Sequence, residues 1–116
     1  MRIIIAGSRD TNKSPQAFGE YMWNVTNFTV SEVVCGVARG ADMLGLSWAT
    51  AYGKPVAKFY ADWDKYGKSA GPIRNGEMAD YADGLIAIWD GKSKGTLDMI
   101  RQMNKRQKPV ELILTN

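Results

Sequence analysis

The sequence predicts a single α/β domain over residues 1–116, built on a doubly wound, five-stranded parallel sheet of the Rossmann-like kind. Two observations lead to this fold class. Short apolar runs alternate along the chain with segments of helical period. The runs are apolar at consecutive positions, which is typical of parallel strands covered by helices on both faces. Right-handed crossovers between such strands then predict the order 3-2-1-4-5.

The apolar runs give the predicted strands. They are Arg2–Ala6, Glu32–Cys35, Pro55–Tyr60, Asp83–Trp89 and Val110–Leu114. Each is four to seven residues long, as strands in globular domains usually are.

Four helices are predicted between the strands, each with its own signals. The first begins at Pro15 after Ser14 as N-cap and runs through Val25. The second covers residues 41–52 and ends at a glycine. The third, residues 72–82, is weakened by Gly76 in its interior. The fourth covers residues 96–107, and Lys105 in its last turn suits the negative end of the helix dipole.

Composition excludes several classes of protein and site. No apolar run approaches the ~20 residues of a membrane span, and the N-terminus lacks the pattern of a signal peptide, so a cytoplasmic location without membrane contact is expected. The single cysteine, Cys35, cannot form an internal disulfide. The absence of histidine excludes Ser-His-Asp triads, Cys-His pairs and histidine-containing zinc sites, so we expect neither metal nor cofactor. Any catalysis would depend on carboxylates, Lys, Tyr, Cys or a bound metal.

Basic residues cluster in the loops that follow the first four strands. Seven of the fifteen lie in these loops or at the following helix starts: Arg9, Arg39, Lys65, Lys68, Arg74, Lys92 and Lys94. The carboxyl ends of parallel strands share one edge of the sheet, where ligands of such folds bind. A cation does nothing for a helix at its N-terminus, since that end is already positive. The arrangement therefore predicts an anionic ligand held against the helix starts.

The third of these loops, residues 61–71, combines acidic and aromatic side chains. Trp63 is predicted either to stack on a base or to fold back as a lid over the sheet edge. Asp42, near the start of the second helix, could complement the helix dipole or accept a hydrogen bond from a ribose hydroxyl. Thr96 after Gly95 could cap the fourth helix, and the same N–H groups could hold a phosphate.

Several motifs taken together resemble the YspA-like family of the SLOG superfamily, whose other members include the LOG phosphoribohydrolases and DNA-processing protein A. The motifs are Ile3–Arg9, Gly36–Asp42, Ala61–Trp63, Gly71–Asn75 with Met78, and Trp89–Thr96. The resemblance implies a Rossmann-like fold and a role in sensing or processing nucleotide-derived ligands, in some cases in conflict between phage and bacteria. With the loop residues Trp63 and Asp90 added, the expected ligand-binding residues are Gly7, Ser8, Arg9, Gly36, Arg39, Gly40, Asp42, Trp63, Arg74, Asn75, Asp90, Ser93, Gly95 and Thr96.

The resemblance departs from the LOG enzymes at one motif. Their PGGxGTxxE segment corresponds here to residues 91–99, in which the glycine-threonine pair is present but the acid, Asp98, comes one position early. One residue along a helix turns a side chain by about 100°, so LOG-type hydrolysis is not expected.

Three functions remain open from the sequence. The first is a binding domain for a phosphate-bearing nucleotide or nucleotide-derived signal, in a sensing or sequestering role. The second is a hydrolase of an N-glycosidic or phosphate bond, for which the candidate acids are Asp42, Asp62, Asp64, Glu77 and Asp90. The third, single-stranded nucleic-acid binding, is disfavoured by a net charge of only +3. The aromatic and methionine residues around segment 52–89 also predict a homo-oligomer.

Overall fold

The computed structural model describes residues 1–7, 14–36 and 41–115. These residues form one parallel sheet in the order β3-β2-β1-β4-β5. The strands are β1 (Arg2–Gly7), β2 (Glu32–Cys35), β3 (Val56–Lys58), β4 (Gly84–Trp89) and β5 (Val110–Leu114). The predicted fold class and strand order are confirmed. The chain steps outward from β1 to β3 and then returns to β4 on the other side of β1, so the switch point lies between β1 and β4.

The helices lie between these strands in chain order. They are α1 (Pro15–Asn24), α2 (Ala41–Ala51), α3 (Trp63–Tyr66), a short 3-10 helix (Gly67–Ser69), α4 (Ala70–Tyr81) and α5 (Lys94–Lys105). Among the described residues, no helix combines the length and the apolar character that a bilayer crossing requires.

The connection after β3 is more ordered than the sequence predicts. Residues 61–71 were expected to form a loop, but Asp62 caps the one-turn helix α3, where its carboxylate accepts a hydrogen bond from the Lys65 backbone N–H at 3.1 Å. Gly67 then takes a φ of 56° and ends that turn. As a result α4 begins at Ala70, two residues before Pro72, whose missing N–H is tolerated in the first turn of a helix.

Two other predicted limits are wrong. β3 is limited to Val56–Lys58, because its only partner in the described sheet, β2, ends at Cys35 opposite Lys58. The fourth predicted helix begins at Lys94 rather than Thr96, since Ser93 is its N-cap and Thr96 lies within the first turn.

Both faces of the three central strands, β2, β1 and β4, are buried, as their apolar sequences predict. Ile3 and Ile5 of β1 point to one face, where they pack with residues of α1 and α2. Ile4 points to the other face, where it packs with Met78 of α4 and Met99 of α5. All three isoleucines are fully buried. This layering leaves the loops at the carboxyl ends of the strands free to form a site.

Candidate functional site

A cavity of about 930 Å³ opens at the carboxyl edge of the sheet. Its floor includes Gly7 and Gly36, which end or follow β1 and β2, and its walls come from α3, the start of α4 and the start of α5. The volume lies in the range of sites that hold small molecules and cofactors. The cavity lies at the edge where the topology of an open parallel sheet places ligands.

Arg74 is held against the end of β2 by close packing. Its Nη1 donates a hydrogen bond to the carbonyl oxygen of Gly36 at 3.0 Å. A Cβ atom at position 36 would lie 2.8 Å from Nη1 and 2.9 Å from Cζ of Arg74. Glycine at 36 therefore leaves the room that the guanidinium occupies. The contact to Gly36, with a 3.4 Å contact from Nε to Oδ1 of Asn75, uses two of the five N–H donors that a guanidinium carries.

Asn75 connects the two helices that form the cavity walls. Only 6% of the residue is exposed, and its Nδ2 donates hydrogen bonds to the Gly95 carbonyl at 3.3 Å and to Asp98 Oδ2 at 2.9 Å. The buried amide thus finds partners on α5, as a buried polar group must. It also fixes the carboxylate of Asp98 in the cavity wall.

The turn before α5 is held by Asp90. One oxygen of its carboxylate accepts hydrogen bonds from the backbone N–H groups of Lys92 and Ser93, both at 2.8 Å, while Gly91 turns the chain with a φ of 81°. The indole N–H of Trp89 donates to the carbonyl of Ser93 at 3.0 Å. These contacts aim the N-terminus of α5 at the cavity, and Asp90 contributes by shaping the turn.

The first turn of α5 lines the cavity with small and polar residues. Ser93 caps the helix, its Oγ accepting from the backbone N–H of Thr96 at 3.5 Å and from the Thr96 hydroxyl at 3.2 Å. Lys94 and Gly95 line the cavity beside them. The N-terminus of a helix carries partial positive charge, and Lys94 adds to it, so this wall favours an anion.

Two aromatic side chains form the opposite part of the rim. Tyr60 is 69% exposed and Trp63 is 58% exposed, and both line the cavity. The Trp63 ring packs on the start of α4 where Gly71 has no side chain: a Cβ there would lie 3.4 Å from the ring. These rings offer a flat apolar surface at the mouth of the cavity.

The structure brings most of the predicted binding residues together. Of the residues predicted from the sequence, those that line the cavity are Gly7, Gly36, Trp63, Arg74, Asn75, Ser93, Gly95 and Thr96. Ser8, Arg9, Arg39, Gly40 and the side chain of Asp42 lie outside the described residues. Asp90 is in the supporting turn. The candidate acids Asp62, Asp64 and Glu77 are exposed and are not among the described residues that line the cavity.

The sequence argument overlooked two polar residues of the cavity, Tyr60 and Asp98, and included Lys94 only as a member of the basic cluster at this edge. The sequence argument gives Asp98 no role because it stands one position before the glutamate of the LOG motif. Since α5 begins at Lys94, residues 95, 98 and 99 share one helix face, and all three line the cavity. The i, i+3 spacing from Gly95, a predicted binding residue, was the signal that could have placed Asp98 there.

Comparison with known proteins identifies the family. The sequence profile of the YspA, cpYpsA-related SLOG family matches residues 1–66. The chain belongs to this SLOG family. It is also 38% identical over 84 residues to the Gene 61 protein of Mycobacterium phage D29, an alignment that covers 67% of each protein. No solved structure matches the chain.

The SLOG match covers only one side of the cavity. Residues 1–66 include Gly7, Gly36, Tyr60 and Trp63. Helices α4 and α5, which carry Arg74 and the rest of the polar wall, follow the matched segment. Most of the polar residues that would determine which ligand binds therefore lie outside the matched segment.

Proposed function

We propose that this SLOG domain binds a phosphate-bearing nucleotide or nucleotide-derived signal at the carboxyl edge, in a sensing or sequestering role. The observation that supports this most is that one cavity combines a guanidinium, a lysine at a helix N-terminus and two exposed aromatic rings. The first two features suit a phosphate, and the rings suit a base. Membership in the SLOG family supports the same class of ligand.

The placement of these groups suggests an orientation for the ligand. Phosphate oxygens would lie between Arg74 and the first turn of α5, where Lys94 and the backbone N–H groups provide positive charge. The base would then stack on Tyr60 or Trp63 at the rim, a contact worth about 1–3 kcal/mol per base.

Calorimetric titration with nucleoside mono- and diphosphates tests the proposal. Arg74→Ala should weaken binding by about 1.5–3 kcal/mol, or roughly 10- to 150-fold, because it removes hydrogen bonds to a charged group. Gly36→Ala should weaken binding as well, since the new Cβ displaces the Arg74 guanidinium, a flexible side-chain end. Arg101→Ala, at an exposed position of α5 outside the cavity lining, is the matched control. Equal affinities in all four proteins would contradict the phosphate assignment.

Native mass spectrometry of the purified protein offers an independent test. A tightly bound nucleotide would add its mass to the 12.8 kDa chain. The same preparation of Arg74→Ala should lose that adduct. An adduct kept unchanged by Arg74→Ala would place the ligand elsewhere.

One observation favours a second function, hydrolysis of the bound nucleotide. The Asp98 carboxylate lies in the cavity wall and is oriented by the buried amide of Asn75. A carboxylate positioned in a cavity can act as general acid or base without histidine. Chromatography of nucleoside monophosphates after incubation tests this: base or phosphate released by the wild type and lost in Asp98→Asn, but not in the exposed control Glu77→Gln, would establish the hydrolase. Binding without release would support the sensing role.

Self-association, expected from the sequence, stays a prediction at this point. The aromatic and methionine residues that suggested it divide between two places. Tyr60 and Trp63 line the cavity, while Met43 and Tyr52 are exposed on and just after α2.

A further inference from the structure

Strand β5 forms an open edge of the described sheet. In the described sheet it pairs with β4 and with no strand beyond. Two of its apolar side chains are also exposed, Leu112 to 48% and Leu114 to 66%. An edge of this kind presents unpaired backbone groups and apolar side chains together, which makes it a template for another strand.

The opposite edge of the same sheet is protected. β3 has only three residues and ends at the exposed Lys58. A short strand and a lysine are both devices that block strand addition. β5 has five residues, Val110–Leu114, and contains no lysine. The two edges of one molecule thus differ in whether they oppose pairing.

The one charged residue of β5 is turned toward its own chain. Glu111 accepts hydrogen bonds from the hydroxyls of Tyr21 at 2.8 Å and Thr26 at 2.7 Å, and from the backbone N–H of Asn27 at 2.8 Å. Its carboxylate is therefore already hydrogen-bonded on the α1 face. A second strand could approach the edge without meeting a charge that it must desolvate.

The ladder between β4 and β5 shows which backbone groups face outward. Leu85 N–H donates to the Pro109 carbonyl at 3.0 Å, and Thr115 N–H donates to the Trp89 carbonyl at 2.8 Å. Positions 109 and 115 therefore direct backbone groups toward β4. Because alternate residues of a strand direct these groups to opposite sides, Val110, Leu112 and Leu114 direct theirs to the open edge.

We propose that β5 pairs antiparallel with β5 of a second copy of this chain, about a two-fold axis at Leu112, and joins two sheets into one. In this register Leu112 lies opposite Leu112, and Val110 lies opposite Leu114, so outward backbone groups meet outward backbone groups. Glu111 lies opposite Ile113, which keeps the two carboxylates apart. A shift by one pair would bring Glu111 opposite Glu111, and like charges directly opposite are unfavourable. A shift in the other direction keeps the carboxylates apart but leaves Val110 without a partner in the strand, so the register centred on Leu112 is the one that pairs all five residues. Such a self-complementary patch is what a two-fold interface requires.

Light scattering after size exclusion tests the assembly in the whole chain. The wild type should have twice the 12.8 kDa chain mass at micromolar concentration. Leu112→Pro should have the single-chain mass, because it removes an outward N–H while leaving the bonds to β4 in place. Leu114→Lys, which adds an edge charge, should dissociate at concentrations where the wild type does not. Circular dichroism shows whether each variant folds.

Two control variants separate pairing at β5 from general stickiness. Leu112→Val keeps the N–H and should keep the doubled mass. Trp23→Ser removes a side chain that is 80% exposed on α1, away from β5, and should also keep it. A single-chain mass for the wild type would overturn the proposal. A doubled mass that survives both β5 variants, or is lost in Trp23→Ser, would also overturn it.

Disulfide cross-linking tests the register. Opposed Cα atoms in a hydrogen-bonded antiparallel pair are about 5.5 Å apart, within the range that a disulfide spans. Leu112→Cys should therefore form a covalent dimer under mild oxidation. Leu114→Cys should not, because its opposite residue is Val110 and the two cysteines would be offset by roughly 14 Å along the strands. The native Cys35 is buried and does not compete. Equal cross-linking at 112 and 114 would refute this register.

Discussion

The ammonium group of Lys108 binds the end of α4, and its loss should weaken the whole fold. Nζ donates hydrogen bonds to the carbonyls of Ala79 at 2.7 Å, Ala82 at 2.7 Å and Asp80 at 3.1 Å. The last carbonyls of a helix have no partner within the helix, and a cation there also interacts favourably with the dipole. Lys108→Met keeps much of the aliphatic stem and removes these three bonds.

The expected cost is about 2 kcal/mol. A hydrogen bond to a charged group contributes about 1.5–3 kcal/mol, but one ammonium shares its charge among three carbonyls and loses up to about 2 kcal/mol of side-chain entropy when fixed. For a chain of this size 2 kcal/mol corresponds to a fall in Tm of roughly 6–12 °C. Urea unfolding followed by circular dichroism measures it.

Lys105→Met is the matched control for Lys108→Met. Lys105 is exposed in the last turn of α5, so it shares the general interaction of a cation with a helix C-terminus. Its loss should cost no more than about 0.5 kcal/mol. If both variants lost the same free energy of unfolding, the three short contacts of Lys108 would contribute nothing beyond that general effect, and the reasoning would fail.

Two further predictions concern packing and pH. Gly45→Ala should destabilise the protein by about 1–3 kcal/mol, because a Cβ there would lie 2.8 Å from Cβ of Ile5. Gly19→Ala has open space around it and should stabilise the protein by about 0.5–1 kcal/mol. Urea unfolding should therefore show changes of opposite sign for the two variants. Burial, and then the hydrogen bond to Glu111, raise the pKa of Tyr21 above its ordinary value of 10.0. The stability that this raised pKa contributes is therefore complete below pH 10 and is lost as the pH rises through the folded pKa of Tyr21. Tyr21→Phe should flatten the fall in the free energy of unfolding at alkaline pH. A slope identical to that of the wild type would contradict the assignment.

The strand order could be predicted because it depends on patterns that survive in the sequence. Strands that are apolar on both faces and joined by right-handed crossovers allow few strand orders, and 3-2-1-4-5 is the simplest of them. Helix starts were predicted less well, because they depend on single side-chain contacts. Ser93 and Asp62 act as caps only when the turn places their oxygens over the right N–H group. Asp98 was left out of the predicted site because of its offset from the LOG glutamate, although its i, i+3 spacing from Gly95 places both residues on one helix face.

The placement of Asn75 against Asp98 could not be predicted, because it depends on how α4 and α5 pack together. That packing is held at both ends. Near the cavity Asn75 joins α4 to Asp98. At the far end Arg106 Nε donates to Asp80 at 2.7 Å, and its Nη2 donates to the Gly76 carbonyl at 3.4 Å, both on α4. Lys108 closes the same end of α4.

This arrangement separates stability from binding. Lys108 and Arg106 hold the helix pair at the end away from the cavity, while Arg74 and Lys94 occupy the end that faces it. Substitutions at Arg74 or Lys94 should therefore change ligand affinity with little change in the free energy of unfolding. Substitutions at Lys108 should do the reverse. Asn75 is the exception, because its amide is buried and also positions Asp98, so its loss should affect stability and site geometry together.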